Sequence, residues 1–207
     1  MGWMRSKSQR PLGWLAGGII IGALSGASPA PAVAESIAEK AEGCARCHGL
    51  DGKPIDKTTP VIWGQKLGYA YIQLRDYKRG DRKSDIMQPI ASTLEKDDML
   101  AIAEIFSKKP WPDLGQPVTA RNVAERALRA EYSVGCTSCH RDRFQGDSTV
   151  PRLAGQSLEY LAKTMADFRT RARGNNPGMS DLMIATAGDD LTALAEYLAG
   201  LQIPRSQ

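Results

Sequence analysis

Histidine and cysteine are scarce in this chain: 207 residues hold two His and four Cys, and all six lie in two short stretches. A separate tetrahedral zinc site would need further thiols or imidazoles, and none remains to supply them. No apolar run reaches the roughly 20 residues of a spanning helix. The longest, Leu12 to Ala27, is about 16 residues and is interrupted by Gly17, Gly18 and Gly22. Few stretches alternate with a strand's period, which removes the β/α pattern of a thioredoxin-like redox fold. A strong excess of one charge is also missing, with 27 Lys+Arg against 23 Asp+Glu. That balance argues against nucleic-acid binding, which wants a basic face or stripe.

The composition that is there, 42% hydrophobic and 24% charged, is ordinary for a globular protein. Residues 1–34 stand apart. Arg5, Lys7 and Arg10 precede the apolar run, and Ala32-Val33-Ala34 follows it as an A-x-A cleavage site. This layout predicts a secretory signal peptide removed after Ala34, hence an exported, periplasmic protein; the alternative is an uncleaved anchor. Those three bases come with no acid, so the chain from Glu35 onward carries a net charge of only +1.

Beyond the signal the chain is a duplication. Cys44-Ala45-Arg46-Cys47-His48 recurs 92 residues later as Cys136-Thr137-Ser138-Cys139-His140. Pro60 and Pro151, Gly64-Gln65 and Gly155-Gln156, Tyr69 and Tyr160, and Tyr77 and Phe168 correspond at an offset of 91. Met87 and Met179 return to 92. Between the copies, Pro110, Pro112, Gly115 and Pro117 break any helix and read as a stiff linker. The predicted domains are 35–112 and 113–207, each small enough that an apolar prosthetic group would help its stability.

The period within each copy is helical, and the expected fold class is all-α. Helices are expected from Glu35 to Cys44, Leu67 to Tyr77 and Lys96 to Ser107. Their counterparts run from Thr119 to Tyr132, Leu158 to Arg171 and Asp189 to Leu201. Asp97-Asp98 and Asp189-Asp190 open the last helix of each copy, where the helix dipole favours acids.

Cys-x-x-Cys-His is the attachment signal for haem c. Cys44, Cys47, Cys136 and Cys139 would add to haem vinyl groups, and His48 and His140 would bind iron. Two covalent haems per chain are predicted. Methionine is more often core filling than ligand. Met99 and Met165 face leucines in the other copy, however, and Met183 faces Ala91, so only Met87 and Met179 repeat in register. With no spare histidine, these two are the expected second axial ligands, each in a loop before the final helix; the alternative is that they only pack against the ring. Pro60 and Pro151 either supply a carbonyl that orients the histidine or are plain turn prolines. Gly64-Gln65 and Gly155-Gln156 read as tight haem-side turns. Arg171 and Arg173 either pair with haem propionates or lie in solvent.

These residues, Cys44, Cys47, His48 and Met87 and then Cys136, Cys139, His140 and Met179, make the chain resemble the dihaem cytochromes c of the cytochrome c4 type. The resemblance implies two tandem class-I cytochrome c domains, with haems close together at a pseudo-twofold interface. It also implies a periplasmic electron carrier rather than an enzyme, working between a quinol-oxidising complex or dehydrogenase and a terminal oxidase. A docked electron-transfer subunit of a periplasmic dehydrogenase is the alternative; a dihaem peroxidase or gas sensor would need an open iron. Peripheral contact with a membrane is compatible with either role. The linker and Trp111, at the expected seam, predict that the two halves dock on each other.

Overall fold

Ser36 caps the first helix. Its hydroxyl accepts from the Glu39 N–H, and the Glu39 carboxylate takes the Ser36 N–H at 2.7 Å, a reciprocal capping box. The computed structural model of the protein describes residues 35–201. The expected signal peptide, residues 1–34, lies outside the described residues.

Four helices build the first half: α1 (Ile37–His48), α2 (Leu67–Arg79), α3 (Met87–Ser92) and α4 (Lys96–Ser107). The second half has α5 (Arg121–Val134), α6 (Thr137–His140), a 3₁₀ turn (Asp142–Phe144), α7 (Leu158–Arg169), α8 (Pro177–Ala185) and α9 (Gly188–Gly200). No strand forms among the described residues, only an isolated bridge between Asp147 and Val150. No described helix is long and apolar enough to cross a membrane.

Each half is organised by its last helix. Met99, Ile102, Ala103 and Phe106 form the buried face of α4, and Leu191, Leu194, Ala195 and Leu198 repeat it on α9 at the same spacing. Burying each large apolar side chain contributes about 1.5–3 kcal/mol. In the first half α1 and α2 pack on α4; in the second, α5 and α7 pack on α9. The acid at the same point of each last helix ties it to the first: Lys40 reaches Asp98 at 2.7 Å, and Arg126 reaches Asp190 at 2.6 Å.

The described residues belong to one compact unit, so the halves are docked. Trp111 sits at the seam, its indole N–H donating to Gly155 O at 3.4 Å and its ring lying under the Arg152 guanidinium. Gln116 then straps the linker to the second half, donating to Gln156 O at 2.9 Å and accepting the Leu158 N–H.

Two readings of the local structure are corrected. The first helix does not stop at Cys44 but runs through the whole motif to His48, whereas its counterpart stops before Cys136. There Gly135 takes a left-handed conformation at φ 76° and caps α5. Met87 and Met179 are not in loops. Met87 opens α3, where Ser84 Oγ accepts its N–H. Met179 lies in the first turn of α8, where the Asn176 side chain does the same. A six-residue helix such as α3 is too short to show a period in sequence.

Candidate haem centres

Both motif histidines are buried and held by the same bond. His48 Nδ1 lies 2.8 Å from Pro60 O, and His140 Nδ1 lies 3.0 Å from Pro151 O. A carbonyl only accepts, so Nδ1 carries the proton and Nε2 keeps its lone pair. Burial lowers both imidazole pKa values and the carbonyl bond offsets this in part, which keeps the rings neutral, the form that binds metal. Of the two readings of Pro60 and Pro151, the orienting carbonyl is the one observed.

The four cysteines form no disulfide, with Cys44 and Cys136 half-buried and Cys47 and Cys139 exposed. Burial pushes the Cys44 thiol up, and it pushes Cys136 to about 11 with help from the Glu131 carboxylate. Thiols held protonated are poor metal ligands. Among the described residues no cluster of three or more His, Cys, Asp or Glu could hold a metal ion.

The residues fit a haem in each half. Each motif offers two uncrosslinked thiols beside a neutral, oriented imidazole. Large apolar side chains the chain leaves uncovered flank the methionines: Ile86 and Ile90 around Met87, Leu182 and Ile184 beyond Met179. Two buried donors without a protein partner, Trp63 Nε1 and Gln145 Nε2, suit carboxylate groups such as haem propionates. Trp63 packs in the cluster that includes Cys44, and Gln145 follows Phe144, which packs beside Cys136. Met99 and Met183 are core residues; Met87 and Met179 are half-buried, Met179 against the cluster that holds Met183.

The two Gly-Gln pairs are turns. Gly64 and Gly155 adopt φ 66° and 73°, and each donates its N–H at 2.8 Å to the end of its own half's last helix, at Phe106 O and Leu198 O. A side chain at Gly64 would press on the backbone of Lys109 and Trp111. The glutamines then leave their own half. Gln156 Oε1 accepts from Val61 N–H at 2.8 Å and its Nε2 donates to Val61 O at 3.0 Å. Gln65 does the same to Arg152, at 2.9 and 3.0 Å.

A second exchange runs parallel to it. Arg82 donates to Tyr160 OH and Arg173 to Tyr69 OH, both at 3.1 Å, and both guanidiniums share Gln73 Oε1. Arg82 lies over the Tyr77 ring and Arg173 over Phe168. Arg173 is therefore buried at the seam rather than solvated, while Arg171 pairs at the surface with Asp181 at 2.8 Å. Burial works against ionisation of the Tyr160 phenol, but Arg82 and Arg173 outweigh it and draw its pKa below the ordinary tyrosine range. Sequence reasoning missed Arg82, although the 91-residue offset that pairs Tyr69 with Tyr160 also pairs Arg82 with Arg173.

No family model matches the chain. It is 35% identical to the thiosulfate dehydrogenase electron acceptor of Stutzerimonas stutzeri, over 78% of this chain and 80% of that one. It is 31% identical to cytochrome c4 of Azotobacter vinelandii, over 78% and 86%. The fold matches reduced cytochrome c4 from Pseudomonas stutzeri with a TM-score of 0.70 at 26% identity, over 82% of this chain and 100% of that one. Helices wrapped around two Cys-x-x-Cys-His motifs and this likeness define an electron-carrying dihaem cytochrome c with class-I folds and two covalently bound haem c groups, not an enzyme. The chain belongs to the cytochrome c4 family.

Proposed function

We propose that the protein is a periplasmic shuttle that passes electrons through two His/Met-ligated haems, from a quinol-oxidising complex or dehydrogenase to a terminal oxidase. In this reading residues 1–34 are a cleaved signal peptide, and 35–112 and 113–207 each hold one haem. Cys44 and Cys47, then Cys136 and Cys139, form the thioether links. His48 with Met87, and His140 with Met179, are the axial pairs. The observation that carries the reading is the repeated bond from a buried histidine Nδ1–H to a proline carbonyl, which leaves one Nε2 in each half for iron.

Bound haem supplies the Fe(II)/Fe(III) couple. The chain's part is to hold each imidazole neutral and oriented, to place a thioether sulfur on a short helix, and to keep the two sites in one compact unit. The Ser84 and Asn176 side chains fix the first turns that carry Met87 and Met179.

Replacing Met87 or Met179 with alanine is expected to remove about half of the methionine–iron charge-transfer absorption and to lower that haem's midpoint potential. Visible spectroscopy during a redox titration measures both, and an unchanged spectrum in either variant would show that its sulfur is not a ligand. The similarity to a thiosulfate dehydrogenase electron acceptor supports a second reading, in which the carrier docks on a periplasmic dehydrogenase. Co-purification from the native periplasm distinguishes a stable complex from a mobile carrier.

A further inference from the structure

The proline carbonyl that orients each histidine belongs to the same peptide group as the N–H that the opposite half's glutamine holds. Pro60 O accepts from His48 Nδ1–H at 2.8 Å, and the Val61 N–H of that peptide donates to Gln156 Oε1 at 2.8 Å. In mirror image, Pro151 O accepts from His140, and the Arg152 N–H of that peptide donates to Gln65 Oε1 at 2.9 Å. Each glutamine oxygen also accepts the N–H of its own next residue, Lys66 or Ser157, at 2.9 Å, which fixes the amide's orientation. Both glutamines are buried, at 5% and 3% exposure. Every member of one chain of bonds has its counterpart in the other, at an offset of 92 for the histidines and 91 for the rest.

A peptide group is planar and conjugated, so a bond accepted from its N–H strengthens its carbonyl as an acceptor, by about 10–30% per bond. A stronger acceptor opposite Nδ1–H makes the imidazole more electron-rich, and a more basic ligand favours the oxidised metal. We propose that Gln65 and Gln156 are crossed positioning residues: each sets, through one peptide group, the orientation and basicity of the other half's histidine, and so the potential of the other half's haem. Neither glutamine touches a haem ligand. Their action passes through Pro151 and Pro60 alone.

The inference rests on His48 and His140 being the iron's histidine ligands. The test uses holoprotein labelled with ¹⁵N-histidine. The chain has only two histidines, so the reduced protein gives one ring Nδ1–H signal per site, assigned by through-space contacts within its own half. In the unsubstituted protein both signals must carry the large haem ring-current shift; if they do not, the ligand assignment fails before the inference is reached. Gln156→Met is expected to move the His48 signal, to speed its solvent exchange on the order of tenfold, and to raise the potential of the first-half haem. His140 and its haem stay within error. Gln65→Met does the reverse. Gln156→Glu keeps an oxygen for Val61 N–H and returns the His48 values toward the original. Should a Met variant lose haem, Gln156→Asn, which stays polar but retracts the oxygen, is read for the same crossed change. A change confined to the substituted half, an equal change in both, or none in either overturns the proposal.

Discussion

The two halves reach the same histidine–proline bond by unequal routes. Twelve positions separate His48 from Pro60, but eleven separate His140 from Pro151. The longer loop turns on Gly49 and Gly52, at φ 94° and 85°. In the shorter loop the equivalent positions are Arg141 and Phe144, also at positive φ, 64° and 58°, with Arg143 and Ser148 at 55° and 50°. Arg141, at ψ 171°, lies in a region used almost only by glycine, where a side chain costs on the order of 1–3 kcal/mol. The first half runs its helix unbroken to His48; the second breaks at Gly135 and restarts as α6. Yet the bonds differ by only 0.2 Å, 2.8 against 3.0 Å. The chemistry of the histidine is the shared feature, and backbone strain absorbs the difference in loop length.

The largest test of that equivalence removes one attachment site. Replacing Cys44 and Cys47 together with alanine is expected to take one covalent haem from the chain and leave one, and the Cys136/Cys139 pair should behave alike. Intact mass spectrometry reads the number of haems, and loss of both from either variant would break the symmetry of the halves.

Next come the loops. An alanine Cβ at Gly49 would lie 2.1 Å from Lys53 O, so Gly49→Ala is expected to destabilise the holoprotein by about 2–4 kcal/mol. Arg141→Gly should move the other way, gaining about 1 kcal/mol once glycine's extra chain entropy is subtracted. Its exposed pair with Asp147 contributes little against this. Denaturant unfolding followed by circular dichroism compares the two, and a destabilised Arg141→Gly would show that the shorter loop is not strained.

The smallest effect concerns an asymmetry at the seam. Tyr77 faces Phe168 in the repeat, and burial pushes its phenol above the ordinary range, whereas the arginines draw Tyr160 below it. A group whose folded pKa is lowered adds stability above its unfolded value and loses it as pH falls through the folded value. Stability should therefore rise between neutral pH and the ordinary tyrosine range, and Tyr160→Phe should flatten that rise. Labelled-tyrosine NMR against pH reads the order of titration; Tyr77 ionising before Tyr160 would refute it.

Much of this was legible in the linear order of residues. The doubled Cys-x-x-Cys-His gave the cofactor, the matched offsets gave the two halves, and apolar spacing placed α4 end to end. Met87 and Met179 were singled out because they alone repeat in register, but their place on helices was not. The bonds that the Ser84 and Asn176 side chains accept from the Met87 and Met179 N–H groups decide that, and neither leaves a periodic trace. The Gly-Gln turns were legible, and the bonds their glutamines make to the opposite half were not.

What the sequence by itself determined is which residues are equivalent, because duplication preserves spacing. What only the tertiary structure decided is which copy each of them touches. Gln65 stands in the same relation to Arg152 as Gln156 does to Val61, yet the 91-residue offset would be identical had each bonded within its own half. Reciprocal docking chooses the crossed arrangement, because covering the seam takes water from the buried Val61 and the half-buried Arg152, and a side-chain amide from the opposite half completes the hydrogen bonds of each.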